Sequence, residues 1–381
     1  MRRSLSSLFF KSLKRIGKVQ QRQQKQLVKG LSAAAKKVLK SAAKSASKSA
    51  APAAKKSISK PSAKPKAVPP ASAVLPGSWT RAVYAAPSGQ RMTYWLYLPL
   101  RDPVQALRPM PLVVMLHGCT QTAPEFAQGT RMNALAQRKG FAVLYPQQLL
   151  TIDSHRCWQW YQRTTQHGGG EAALVADLLT QVVARHALDA SRVYLAGMSA
   201  GAALAQTIAL RYPYRIAAVG MHSGPVFGTA DNRLGAFAAM QTGGGAALAL
   251  AVQPMVNAPD FPRMPAMLLH GDADKVVRVV NLLQAAQQWC LVNHIDASSQ
   301  PPVLLEVPAR PGGRSPRHGY QRMDYRQGRK PLVSVCRIAG LEHAWSGGDD
   351  SLRFNSKLGP DASALLWAFF AKHQRARLAP R

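Results

Sequence analysis

The apolar positions of residues 79–372 follow two alternating periods. Short, nearly continuous apolar runs occupy 112–116, 141–145, 192–196, 216–221, 266–269 and 332–338, and residues 94–98 alternate with period two. Runs of this length, rich in Val, Ile and Leu, predict buried strands. Between them, 123–139, 171–186, 200–212, 280–289 and 362–370 repeat apolar residues at helical spacing. In the second of these, Leu174, Val175, Leu178, Leu179 and Val182 fall on one face. Strands that alternate with helices in this rhythm predict an α/β domain whose mostly parallel sheet is covered on both faces. Residues 225–265 are Gly/Ala-rich and read as irregular, partly overhanging the sheet edge. No internal repeat is present.

Residues 4–31 show a different pattern. At about 100° per residue, Leu5, Leu8, Phe9, Leu13, Ile16, Val19, Leu27 and Leu31 fall on one face, opposite Lys11, Lys14, Arg15, Lys18, Arg22, Lys25 and Lys29. This predicts a basic amphipathic helix suited to an apolar or anionic interface. Residues 32–76 are low-complexity Ala, Lys, Ser and Pro, too poor in large apolar side chains to offset their ordering entropy. The division is therefore a basic tail, 1–76, and a folded body, 77–381.

Charge sharpens that division. The formal net charge is +33, and residues 1–76 hold 19 of the 50 Lys and Arg but none of the 17 Asp and Glu. The first acidic residue is Asp102. A tail with no internal counter-charge repels itself and stays extended. Its expected partners are an anionic membrane surface, or a polyanion such as DNA or polyphosphate bound through counterion release. No apolar run reaches the roughly 18 residues of a spanning helix. The apolar stretch after Met1-Arg2-Arg3 is interrupted by Ser6 and Ser7, unlike a secretory signal. The expected location is cytoplasmic. Cys119, Cys157, Cys290 and Cys336 permit two disulfides in three connectivities, or four buried thiols.

The chemistry centres on Gly197-Met198-Ser199-Ala200-Gly201. A G-x-S-x-G between a predicted strand and a predicted helix is the strand–elbow–helix context of a nucleophilic serine in an α/β-hydrolase fold. A serine hydroxyl needs an adjacent base, itself oriented by a third group. In this fold the order is Ser, acid, His. The acid is expected in the loop after 266–269, where Asp274 is preferred to Asp272 because Val276-Val277 anchors the chain just beyond it. Asp272 is expected to bond backbone amides of the turn. The base is expected after the last strand, which selects His343 over His222, His270, His294, His318 and His373. Two N–H donors are needed for a developing oxyanion. They are expected from Ala200 and from the loop 117–121, with Cys119 the preferred donor. No metal or cofactor is expected.

These residues resemble the polyhydroxybutyrate depolymerase family of esterases, which includes feruloyl and acetylxylan esterases. The resemblance spans roughly 79–372. It is carried by Leu116-His117-Gly118-Cys119-Thr120-Gln121, Tyr145-Pro146, Cys157-Trp158-Gln159-Trp160, residues 192–201, His222-Ser223-Gly224, residues 270–277 and Glu342-His343-Ala344-Trp345-Ser346-Gly347-Gly348. It implies a Ser199, Asp274, His343 triad with Cys119 at the oxyanion hole. It implies disulfides Cys119–Cys157 and Cys290–Cys336. Trp158, Trp160 and Trp345 are expected to form an apolar platform for an ester chain, with packing in the core as the alternative, and Gln121 is expected at the substrate. Many members are secreted, which makes an extracellular location the alternative; with no recognisable carbohydrate- or polymer-binding domain at its C-terminus and a basic amphipathic N-terminus instead, this chain is expected to resemble an intracellular depolymerase whose tail meets a storage-granule surface. The expected activity is hydrolysis of short-chain poly-3-hydroxyalkanoate or its oligomers through an acyl-enzyme. Feruloyl or acetylxylan ester hydrolysis is the alternative. A granule- or polyanion-binding protein on an idle hydrolase fold is the non-enzymatic one.

Overall fold

The structure, a computed structural model, describes residues 75–376 except 246–247 and 314–315. The amphipathic helix expected at 4–31 and the low-complexity stretch that follows lie outside the described residues, apart from 75 and 76.

Ten strands form one sheet. They are β1 (Ser78–Ala85), β2 (Arg91–Leu98), β3 (Leu112–Leu116), β4 (Ala142–Gln147), β5 (Val193–Met198), β6 (Ala218–His222), β7 (Ala266–Gly271), β8 (Val303–Val307), β9 (Tyr320–Gln327) and β10 (Lys330–Ile338). Their spatial order is β1-β2-β4-β3-β5-β6-β7-β10-β9-β8. The six central strands, β4, β3, β5, β6, β7 and β10, run parallel, and antiparallel pairs extend both ends. Every residue of β3, β4, β5, β6 and β7 is buried, which is why these strands read as continuous apolar runs.

Helices cover both faces. On one lie α3 (Gly170–Arg185), α4 (Ala200–Arg211), α5 (Arg233–Thr242), α6 (Leu248–Val256) and α7 (Val280–Val292), packed on Leu112, Val114, Leu195, Leu268 and Val335. On the other lie α1 (Ala123–Thr130), α2 (Met132–Lys139) and α8 (Ala362–Phe370), packed on Val113, Met115, Ala196, Leu269 and Cys336. A small second sheet pairs β11 (Trp345–Ser346) with β12 (Asn355–Ser356). No helix among the described residues is long and apolar enough to cross a membrane.

The structure departs from the pattern in three places. The single helix expected at 123–139 is broken into α1 and α2 at Arg131, which is left-handed at φ 55°. The break lets Gly129 meet the segment after His343: its carbonyl accepts from Asp349 N at 2.9 Å, and a Cβ there would lie 2.6 Å from Asn355 Nδ2. The stretch read as irregular at 225–265 holds α5 and α6, the first capped by the Asn232 side chain, which accepts from Gly235 N at 2.8 Å. Two edge strands were not expected: β8, short and largely exposed although Val303, Leu304 and Leu305 are apolar, and β9, mostly exposed or half-exposed and without clean alternation.

Parallel order β4-β3-β5 reverses between β3 and β5. Chains leaving the carboxyl ends of those two strands diverge there, opening the crevice in which open α/β sheets place their ligands.

Candidate active site

Ser199 stands in that crevice. It joins β5 to α4 at φ 56° and ψ −122°, a positive φ that costs a non-glycine residue about 1–3 kcal/mol. The glycines of the motif explain how the strain is accommodated. A Cβ on Gly197 would lie 2.3 Å from the Gly201 carbonyl oxygen, and one on Gly201 would lie 2.1 Å from that of Leu116. Only hydrogens fit, so strand, elbow and the end of β3 pack backbone to backbone. Ser199 N donates to the His222 carbonyl at 3.0 Å, tying the elbow to the end of β6.

Asp274 and His343 are joined directly. His343 Nδ1 donates to Asp274 Oδ2 at 2.7 Å. The Asp274 side chain is fully buried, and its Oδ1 accepts from Val276 N and Val277 N, each at 2.9 Å. His270 Nε2 lies 3.5 Å from Oδ2 and donates to the Val277 carbonyl at 2.7 Å. Burial by itself would raise the Asp274 carboxyl, but the bonds from His270 and His343 outweigh it and hold the group well below the usual carboxylate range. A permanent carboxylate therefore fixes the His343 ring with Nε2 free for chemistry. Asp272 plays the other part expected of it: Oδ1 accepts from Gly340 N at 2.7 Å, and Oδ2 pairs with Arg337 at 3.4 Å.

Ser199 meets this pair through His222. The His222 carbonyl receives Ser199 N, while its ring lies within electrostatic reach of His343 and Asp274. Burial, then the neighbouring histidines, lowers His222 to about 3, so it is neutral. Its Nε2 accepts from Ser346 N at 3.3 Å, and its ring stacks on Trp345 with centroids 5.0 Å apart. His222 thus holds the segment that follows His343. Among the described residues no hydrogen bond joins Ser199 Oγ to the His343 ring; a serine–histidine bond of this kind is often long until a substrate is bound.

The loop after β3 forms the opposite wall. Its glycine sits against Ser199, since a Cβ on Gly118 would lie 3.5 Å from Ser199 Cβ. Cys119 is bonded to Cys157, and Thr120 N donates to the His155 carbonyl at 2.5 Å. Trp158 Nε1 donates to the His117 carbonyl at 3.0 Å. His117 is lowered to about 4, mainly by burial, so the ring is neutral. Its Nδ1 donates to the Gly118 carbonyl at 2.8 Å and its Nε2 accepts from Gln148 N at 3.1 Å. Among the described residues no hydrogen bond takes up the N–H of Cys119 or of Ala200. Ala200 begins α4, and a first-turn N–H has no partner within its own helix.

Three expectations are corrected. Trp158 and Trp345 are 0% exposed and Trp160 is 6% exposed, so the three rings are no platform for an ester chain. Trp158 and Trp160 belong to the core on one face of the sheet, and Trp345 to the core on the other. Gln121 is also buried; its Oε1 accepts from Gly118 N at 2.8 Å, so it shapes the loop and does not face substrate. Cys290 and Cys336 are free thiols. Successive side chains of a strand point to opposite faces. Cys336 consequently faces the α8 side of the sheet, while Cys290 on α7 packs on the other side. Burial pushes both thiols up to about 12.

Two supports were not anticipated. Glu171, in the first turn of α3, accepts from Gln159 N at 2.7 Å and from Gln148 Nε2, which also donates to the Cys157 carbonyl at 3.2 Å. Gln147 Oε1 accepts from Ala123 N at 2.7 Å, fixing the start of α1. The only sequence signal for either was a polar pair, Gln147-Gln148, ending an otherwise apolar strand.

A parallel sheet with a serine elbow at its switch point and an acid–histidine pair on later strand ends defines the α/β-hydrolase class. Its closeness to an acetyl xylan esterase from Aspergillus awamori agrees on the fold: TM-score 0.61 at 19% identity, covering 77% of this chain and 99% of that one. The family model for esterase PHB depolymerases matches residues 92–301, and the chain belongs to that family. It is 30% identical over 237 residues to poly(3-hydroxyalkanoate) depolymerase C of Paucimonas lemoignei, covering 61% of this chain and 54% of that one. It is 30% identical over 216 residues to a probable acetylxylan esterase A of Neosartorya fischeri, covering 53% and 55%. The chain spans about half the length of the curated relatives it matches.

Proposed function

We propose that the chain is a carboxylic-ester hydrolase in which Ser199 is the nucleophile, His343 the general base and Asp274 the group that orients it. The observation that carries this reading is the buried Asp274 carboxylate 2.7 Å from His343 Nδ1, on the same sheet edge as a serine held at positive φ. Ser199 Oγ attacks the ester carbonyl as its proton passes to His343 Nε2. The N–H groups of Cys119 and Ala200 receive the oxyanion. Collapse of the tetrahedral intermediate transfers the proton from His343 to the leaving alkoxide and leaves an acyl-Ser199. Water then attacks with His343 again as base, releasing the acid.

The proposed substrate is a short-chain 3-hydroxyalkanoate polyester or its oligomers. Family membership and the likeness to the Paucimonas lemoignei depolymerase support it. A side-by-side assay of hydroxybutyrate oligomers and amorphous granules against acetylated and feruloylated xylan tests it. Turnover of the hydroxybutyrate substrates is expected, and activity confined to the xylan esters would reject the substrate. Residues 1–76 are proposed to localise the catalytic body, at a granule, anionic lipid or polyanion surface in the cytoplasm.

A further inference from the structure

Beside the oxyanion loop the same sheet edge carries a second concavity. It has a volume of about 330 Å³ and is lined by Arg81, Trp95, Thr122, Gln148, Leu150 and Arg156 among others, with no Asp or Glu. Its place is set by register and hydrogen bonding. The carboxyl ends of β3, β4 and β5 share one edge, and Thr93 of antiparallel β2 pairs with Gln147 there. Gln148 N donates to His117 Nε2, so the groove wall is bonded to the residue that precedes Gly118.

Neither arginine of the groove pairs with an acid among the described residues, and the carboxylate bonded to its wall, that of Glu125 on Thr122, is engaged in the cap of α1. Arg81 lies over the Trp95 ring, 5.6 Å from its centroid. Arg156 is held at φ 51°, a left-handed conformation that costs an ordinary side chain about 1–2 kcal/mol. It immediately precedes Cys157, whose bond to Cys119 fixes it relative to the oxyanion loop. Leu150 is more than half exposed and, with Trp95, gives the groove its apolar surface.

We propose that this groove is a carboxylate-recognising subsite, holding the free acid end of a short ester oligomer while one of its ester bonds lies at Ser199. The proposal rests on the ester-hydrolase reading and names its substrate more narrowly. Each hydrolysis of a polyester leaves a fragment that ends in one carboxylate and continues as an aliphatic chain. Two guanidinium groups without acidic partners match the first, because planar N–H donors suit a carboxylate. Trp95 and Leu150 match the second. At this volume the groove sits at the small end of ligand pockets, fitting an oligomer end and not a polymer surface.

The test uses the full chain and two substrates, a 3-hydroxybutyrate trimer as the free acid and as its methyl ester. A charge-assisted hydrogen bond lost from a site changes affinity by about tenfold or more. The wild type should prefer the free acid in kcat/KM, and Arg156→Gln and Arg81→Gln should each cut that preference about tenfold, through KM. Salt supplies a reading that requires no variant: between about 50 mM and about 0.5 M NaCl the preference should shrink as screening shortens. Equal use of the two trimers, or a preference untouched by both substitutions and by salt, overturns the subsite alone. Failure to cleave either trimer or any simple ester overturns the hydrolase reading beneath it.

Discussion

Reducing the Cys119–Cys157 bond should soften the protein without dismantling the site. The two cysteines are separated by 38 positions. Closing a loop of that length removes denatured-state entropy worth about 4 kcal/mol at 25 °C. Against a total stability of about 5–15 kcal/mol that is a large share. A folded body of about 300 residues unfolds with an entropy near 0.6 kcal/mol per kelvin, so the melting temperature should fall by about 6 °C. The oxyanion loop should stay in place, because Trp158 Nε1 still holds the His117 carbonyl and Thr120 N still holds that of His155. Activity at 25 °C should therefore fall less than about tenfold, well short of the ~100-fold or greater loss from removing an oxyanion donor. The assay pairs thermal unfolding by circular dichroism, with and without a phosphine reductant, with thiol titration in denaturant. Two thiols are expected before reduction, Cys290 and Cys336, and four after it. Four thiols in the untreated protein, or a melting temperature indifferent to reductant, would refute the reasoning.

Asp274→Asn should lower kcat by about 10³–10⁴, since an amide no longer selects the productive His343 tautomer, whereas Asp272→Asn should cost less than about tenfold; the reverse ranking would exchange their roles. Glu171 is raised to about 7, chiefly by burial, from an ordinary value of 4.5. A carboxyl raised by folding opposes the fold once ionised, so stability should be unaffected below 4.5 and fall by up to about 3 kcal/mol as pH rises through 7. Glu171→Gln should flatten the denaturant midpoint across that range, and an unchanged slope would contradict the assignment. Gly201→Ala should destabilise by more than about 3 kcal/mol by forcing backbone apart, while Gly312→Ala, with nothing within 4 Å of the new Cβ, should be nearly silent in the same melts. Deleting residues 1–76 should leave hydrolysis of small soluble esters intact while weakening salt-sensitive retention on anionic vesicles; loss of small-ester activity would place the tail in the catalytic body.

Much of the central sheet was legible because its strands are buried on both faces and its helices on one, so burial is written directly as two periods. The placement of Ser199, Asp274 and His343 was legible for a related reason: each sits where a regular element ends, and such ends can be located from the pattern. What was not legible depends on contacts between distant segments. Nothing local says that Arg131 turns left-handed, because the cause is the approach of Gly129 to Asp349 and Asn355. The tryptophans read as a platform because an aromatic beside a functional motif looks the same in sequence whether it faces solvent or core. The pairing of Cys290 with Cys336 fails on strand parity, visible only once Val333 and Val335 are seen facing α7.

The central claim is that Ser199 is an activated nucleophile. A fluorophosphonate probe reacts with such a serine and not with an ordinary one, and the modified residue is located by mass spectrometry after digestion. The account predicts stoichiometric labelling confined to Ser199, its loss in Ser199→Ala with the fold intact, and strongly slowed labelling in His343→Ala. Labelling at another serine, or a Ser199→Ala variant that still hydrolyses esters at near the native rate, would contradict it.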